Sequence, residues 1–151
     1  MPSAGAPEAE AAREIVSSRL LPFPREQVFA AMADSARLAR WWGPAGFRNT
    51  FHRFEFRQGG EWKFTMHGPD GTDYPNHLVI DELRPPERIV MRHLPPHFTN
   101  TVTLDEEAGG TRIRFRMLFE DARTRDALAP VCVPANEQNF DRLHAELSTA
   151  S

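Results

Sequence analysis

The periodicities of this chain predict an α+β fold: one strand, two short helices, a six-stranded antiparallel meander and a long terminal helix. Three observations carry that prediction. Apolar residues recur at every second position between Phe47 and Glu120, helical spacing governs the segments on either side, and turn-forming clusters divide the central stretch.

"REIVSSRLL" (13–21) is rich in β-branched residues and bounded by "PFP", which makes it the first strand. In "PREQVFAAMA" Pro24 suits a first helical turn, and Val28, Phe29 and Met32 recur at helical spacing. Asp34 and Ser35 can cap a second short helix carrying Leu38, Trp41 and Trp42, and "GPAG" ends it. The period then changes to two. His52, Phe54 and Phe56 share a parity, as do Trp62, Phe64 and Met66, then Ile89, Met91 and His93, then Ile113, Phe115, Met117 and Phe119. The opposite parity is mostly charged, as at Arg53, Glu61, Lys63, Arg112 and Arg114, so each strand has one face suited to a core. "RQGG", "GPDG", "RPPE", "LPPH" and "EEAGG" supply the turns; in "GPDG" Gly68 and Gly71 are expected to accept positive φ. Helical spacing returns in "DARTRDALA" and in "ANEQNFDRLHAELS", where Phe140, Leu143 and Leu147 share a face with Asn136 one turn before. Pro130 and Pro134 remove amide donors between these segments, so a break or kink is expected there, with the rigid part of the helix after Val133.

The 151 residues are 40% hydrophobic and show a single compositional regime after the first dozen, which predicts one compact domain over 13–151 behind a disordered tail, 1–12. The 18 basic and 21 acidic side chains are scattered, leaving a formal charge of −3, so neither nucleic acid nor an anionic membrane is an expected partner. With Cys132 alone there is no internal disulfide and no thiolate cluster for zinc, and a reducing cytoplasm is the expected setting. "MPSAGAPEAEAA" does not read as a secretory signal, and no window reaches the length of a membrane span.

"LARWWGP", "GGEWKFTMHGPDGTDYPN", "PPERIV", "GGTRIRFRMLFED" and "FDRLHAEL", in this order and spacing, resemble the helix-grip superfamily of START-like (SRPBCC) ligand-binding domains. Within it they are most similar to the branch named after the activator of the ninety-kilodalton heat-shock chaperone's ATPase. The resemblance runs from about Arg13 to Leu147. It implies a curved seven-stranded sheet gripping a long C-terminal helix, with an apolar cavity between them. Relatives often run that helix unbroken and carry a glycine and a bulky aromatic where Ala135 and Asn136 stand here. The smaller polar side chain would enlarge the cavity or equip it with a hydrogen-bonding group.

The expected cavity wall is Phe54, Trp62, Phe64, Met66, Met91, Phe115, Met117 and Phe119 from the sheet. Asn136, Phe140 and Leu143 face them from the helix, and Trp41 and Trp42 stand beside the mouth, one in the core and one as a gate. Methionine and phenylalanine adapt to ligands of varied shape, so the first reading is a binder of a small apolar or amphipathic molecule. The second is an enzyme of cyclase or hydratase type, as the wider superfamily includes, with His52, Tyr74, His77 and His93 as candidate acid-base groups and Asn76 as a further polar contact. The third, regulation of a chaperone ATPase, rests on the family's name alone and ranks last, because the activators carry an additional domain. His52, His67, His77, His93, His97 and His144 show neither HxH nor HExxH, so no metal is expected. No nucleophile elbow, Rossmann glycines or P-loop appears, and no cofactor is expected. Asp81 and Glu82 read as a solvated strand end and Cys132 as a packing residue. Edge strands or an exposed aromatic patch would be the route to a homodimer.

Overall fold

A computed structural model describes residues 10–95 and 97–149. Its elements are β1 (Glu14–Leu21), α1 (Arg25–Ala33), α2 (Ser35–Trp41), β2 (Arg48–Phe54), β3 (Glu61–His67), β4 (Asp73–Arg84), β5 (Arg88–His93), β6 (Phe98–Glu107), β7 (Gly110–Phe119) and α3 (Ala122–Thr149). Of the segment expected to be a disordered tail, residues 10–12 form one helical turn and residues 1–9 lie outside the described residues. Every strand pairing is antiparallel, in the order β1-β7-β6-β5-β4-β3-β2. The meander is the sheet from β2 to β7, and β1 closes it by pairing along β7 from Glu14 opposite Leu118 to Leu21 opposite Thr111. This is the helix-grip arrangement, with a curved sheet around a long C-terminal helix.

One face of the sheet is apolar, and the helices cover it. Trp62, Phe64, Ile80, Ile89, Met91, Val102, Ile113 and Phe115 form one core cluster with Val28, Met32, Leu38 and Trp41 of the short helices and Phe140, Leu143 and Leu147 of α3. A second, smaller cluster of Ile15, Met117 and Phe119 packs against Leu128, Ala129 and Cys132 from the first half of α3. Asp34 caps α2, its Oδ1 accepting from the amides of Ala36 (2.9 Å) and Arg37 (3.4 Å). Glu146 of α3 lies under α2 and accepts from Arg40 (2.8 and 3.0 Å) and Arg37 (3.1 Å). In "GPDG", Gly71 has positive φ (87°) and Gly68 does not. Gly68 sits where a Cβ would come within 2.9 Å of Asp70 Oδ1.

Besides Gly68 and residues 10–12, the structure departs from sequence expectation in α3 and in β2. α3 is continuous over 28 residues, with Pro130 and Pro134 inside it. Both prolines are exposed, and so is Asp126, so the two i+4 hydrogen bonds that the prolines remove are lost at exposed residues of the helix. Leu128, Ala129 and Cys132 on the opposite face are held by the second cluster, and that packing carries the helix through the prolines. In β2 the register against β3 shifts between Phe51 and Arg53. The extra residue at this bulge reverses the parity, so Phe51 and Phe54 both face the core and His52 is exposed. No helix of the described residues is long and apolar enough to cross a membrane.

These observations predict two stability effects. Replacing Pro134 by Ala restores an amide donor and removes a ring clash, so urea unfolding of Pro134→Ala should show a gain of about 1 to 3 kcal/mol; an unchanged midpoint would mean that the proline is accommodated without cost. The Arg40 hydrogen bond, then that of Arg37, holds the Glu146 carboxyl below the usual carboxylate range. A depressed folded-state value stabilises fully above the unfolded value, about 4.3, and the contribution is lost as pH falls through the folded value. Glu146→Gln should therefore lower stability by about 1 to 2 kcal/mol at pH 7, and the gap to the parent chain should close below about pH 4.

Candidate functional site

The two clusters do not meet completely, and between them lies a cavity of about 220 Å³. The alternation of the sheet builds its floor, each of five strands contributing two inward positions: Phe64 and Met66, Asn76 and Leu78, Met91 and His93, Phe98 and Asn100, Phe115 and Met117. α3 builds the roof from Cys132, Ala135, Asn136 and Asn139, spaced i, i+3, i+4, i+7 and therefore on one face. Trp42, Gly43 and Pro44, in the loop after α2, form the mouth.

The mouth is fixed to the roof by α3. Arg142 Nη1 donates to the carbonyls of Trp42 (3.0 Å), Gly43 (3.1 Å) and Pro44 (2.9 Å), and its Nη2 to those of Arg40 (2.6 Å) and Phe47 (2.7 Å). Asn139 Oδ1 accepts from the Gly43 amide at 3.2 Å, and Gln138 Oε1 accepts from that of Ala45 at 3.0 Å. Gly43 has φ of 96° and a Cβ there would lie 2.6 Å from Met66 Cε, so the loop approaches the floor as only glycine allows. Burial pulls the pKa of the Arg142 guanidinium down, but five carbonyl dipoles surround it and it stays a cation.

Of the expected wall residues, Trp42, Phe64, Met66, Met91, Phe115, Met117 and Asn136 line the cavity. Trp41 does not; it is buried, with Nε1 donating to Ala31 O at 3.0 Å. Trp62 and Phe54 stack on each other (5.1 Å) within an aromatic group that includes Phe51 and Phe56. Phe119 belongs to the second cluster, while Phe140, against Phe115 at 4.8 Å, and Leu143 fill the first. Leu78, Phe98, Asn100, Ala135, Asn139, Gly43 and Pro44 were missed. The run "FTNTVTL", in which threonine takes every second place, signals that Phe98 and Asn100 share the apolar face.

Among the candidate acid-base groups, only His93 lines the cavity. Its ring stacks on Phe98 (4.6 Å between centroids), and Nε2 lies 2.9 Å from Asn76 Oδ1; an amide oxygen only accepts, so His93 Nε2 carries the proton. His52 is displaced outward by the bulge and meets Thr65 Oγ1 at 2.9 Å. His77 faces the opposite side of the sheet from Leu78, with Nε2 2.8 Å from Glu61 Oε1; with His52 and Lys63 it borders an outer groove of about 470 Å³. Tyr74 is exposed beyond the rim, against Phe47. Among the described residues, no Asp, Glu, Lys or Arg lines the cavity, and no group of three His, Cys, Asp or Glu is placed to hold a metal. Burial pushes the Cys132 thiol up, which keeps it neutral. Asp81 is exposed and paired with Arg92, and the half-buried Glu82 is paired with Arg84 and Arg88.

The family described as activator of Hsp90 ATPase homolog 1-like protein matches residues 22–148. Similar solved structures include a protein from Nitrosomonas europaea (19% identity, TM-score 0.85, covering 93% of this chain and 97% of that one). Another is a protein from Rhodobacter sphaeroides (24% identity, TM-score 0.84, 93% and 95%). A third is the AHSA1 protein from Silicibacter pomeroyi (19% identity, TM-score 0.74, 91% and 99%). At these identities the likeness shows the fold. Among curated proteins none matches.

Arg142→Met leaves up to five loop carbonyls without their donor. It should lower stability by about 3 kcal/mol or more, and hydrogen exchange at the amides of Gly43 and Ala45 should accelerate first. Unchanged exchange there would mean that the loop holds its shape without α3.

Proposed function

The chain belongs to the family of activator of Hsp90 ATPase homolog 1-like proteins, and on that premise we propose that it binds a small apolar or amphipathic molecule in its cavity. Family and fold are those of a ligand-binding or regulator-type domain. The observation that favours a ligand is the make-up of the cavity. Methionine and phenylalanine form the walls, Ala135 and Gly43 leave the space, and carboxamides and one imidazole supply polar contacts. An apolar wall with a few convergent polar groups is the composition that small-molecule sites share.

Burying about 200 Å² of apolar ligand surface is worth roughly 5 kcal/mol before the costs of association, which points to micromolar to millimolar affinity. Catalysis by a pair of acid-base groups has less support, because among the described residues no Asp or Glu lines the cavity, and of the four candidate groups His93 alone does.

Ala135 faces the cavity from α3, so Ala135→Phe should fill it while leaving the cores of both clusters intact. Native mass spectrometry of protein purified from cells, followed by extraction, should find a small molecule with the parent chain and none with the variant. A molecule retained equally by a folded Ala135→Phe variant would place binding elsewhere and end this reading.

A further inference from the structure

The polar groups around the cavity are unequally committed. Asn76 Oδ1 is taken by His93 and its Nδ2 by the Tyr74 carbonyl (3.0 Å). Asn139 Oδ1 is taken by the Gly43 amide, and Asn136 Nδ2 by Ser17 Oγ (3.1 Å) and Met117 Sδ (3.5 Å). Asn100 and Asn136 both line the cavity, are each 8% exposed and have an Oδ1 without a hydrogen-bond partner among the described residues, but only the Asn100 oxygen is itself buried, so it alone lacks water as well. Its cross-strand neighbours are Met91 on β5 and Met117 on β7, which offer it nothing better than a thioether.

A buried carboxamide oxygen left unpaired carries a desolvation penalty, so buried acceptors are normally satisfied. The terminal torsion of asparagine is broad, so the carboxamide can turn its oxygen toward a donor entering the cavity. What the ligand brings is expected to be neutral. Among the described residues the wall carries no Asp, Glu, Lys or Arg, and Cys132 is kept as a thiol by burial. The guanidinium of Arg142, behind the mouth, is already surrounded by carbonyls. An anion would lose its hydration and meet no arginine or lysine in the wall, where the one imidazole, His93, already hydrogen-bonds Asn76. Size sets the third limit. A cavity of about 150 Å³ accepts benzene, and the 220 Å³ here accommodates a substituted ring or a small bicycle.

We infer that the cavity selects an uncharged, ring-sized molecule bearing a hydroxyl-type hydrogen-bond donor, and that Asn100 is the residue that determines this selectivity. The inference rests on the ligand-binding reading above and narrows it to a chemical class. An alcohol or phenol suits Asn100 doubly, because its O–H donates to Oδ1 while its oxygen can accept from Nδ2.

The test compares three probes of one framework: 2-naphthol, naphthalene and 2-naphthoate. Each is titrated into the intact protein and read from the methyl resonances of Met66, Met91 and Met117. Naphthol should bind about tenfold more tightly than naphthalene, the worth of one buried hydrogen bond, and naphthoate should bind more weakly still. In Asn100→Leu, which keeps side-chain size and removes the acceptor, naphthol should fall to the affinity of naphthalene while naphthalene binds at least as well as before. Retained naphthalene affinity also reports that the variant is folded; should it fail to fold, Asn100→Ala is read in the same way. Naphthoate binding as tightly as naphthol, or a naphthol preference that survives Asn100→Leu, overturns the assignment and leaves the ligand-binding reading standing. If none of the three probes moves the methionine methyls of the folded parent chain, both fall.

Discussion

The cavity depends on one side chain, Arg142. From a single position on α3 its guanidinium collects carbonyls from Arg40, Trp42, Gly43, Pro44 and Phe47, so the segment joining α2 to β2 is folded around it. A backbone that turns this tightly presents several carbonyls in one direction, and without a donor each would need water in a half-buried place. The planar fork of arginine meets them together, which the point charge of lysine would not do. Because Asn139, one turn earlier, holds the Gly43 amide, the loop is gripped at donors and acceptors alike. Roof and mouth therefore move as one unit, and Gly43 is pressed against Met66 on the floor.

That constraint explains which parts of the fold the sequence made legible. Strand alternation is written in the residues of β3, β5 and β7, because each buries one face along its whole length without a register shift in the strand. The family resemblance, carried by "RWWGP" and the hairpins, led to the same architecture. The errors at α3 and at His52 share a cause. Pro130 and Pro134 argue for a break when only local backbone chemistry is weighed, yet Leu128, Ala129 and Cys132 on the opposite face are packed and the lost hydrogen bonds fall at exposed residues. His52 shares the parity of Phe54 only if the strand is regular, and the bulge after Phe51 removes that premise. In both cases tertiary packing overrode a correct local rule.

The site was less legible than the fold. Three of the largest side chains, Trp62, Phe119 and Phe140, were expected in the wall, and each is fully buried in packed core instead. A cavity lies where volume is missing, so the informative residues were the small and the polar ones: Gly43, Ala135, Asn136, Asn139 and Asn100. The stripe of Phe140, Leu143 and Leu147, read backward along α3, turns from large and apolar to small and amide-bearing at Asn139. That change of character on a continuing face was visible in the sequence. What the sequence could not show is that Phe98 and Asn100 stand opposite this stripe, since that requires the register of β6 between β5 and β7.

Such a space is expensive to maintain. An enclosed, empty cavity in a packed core costs about 24 cal/mol per Å³; this one opens beside Trp42, Gly43 and Pro44, so its cost is smaller, but its walls still forgo the packing contacts a filled core would make. A chain needing only the fold could narrow this space with one larger residue at Ala135 and remove the unpaired acceptor with a leucine at Asn100. Here small residues stand on the roof, a glycine stands at the mouth, and a carboxamide whose oxygen is buried without a partner stands in the wall, the last of them unfavourable for stability by itself. Their coincidence around a single void is hard to account for as independent packing faults. It is the pattern expected when stability is given up for a site that another molecule completes, supplying both the missing contacts and the missing hydrogen bond.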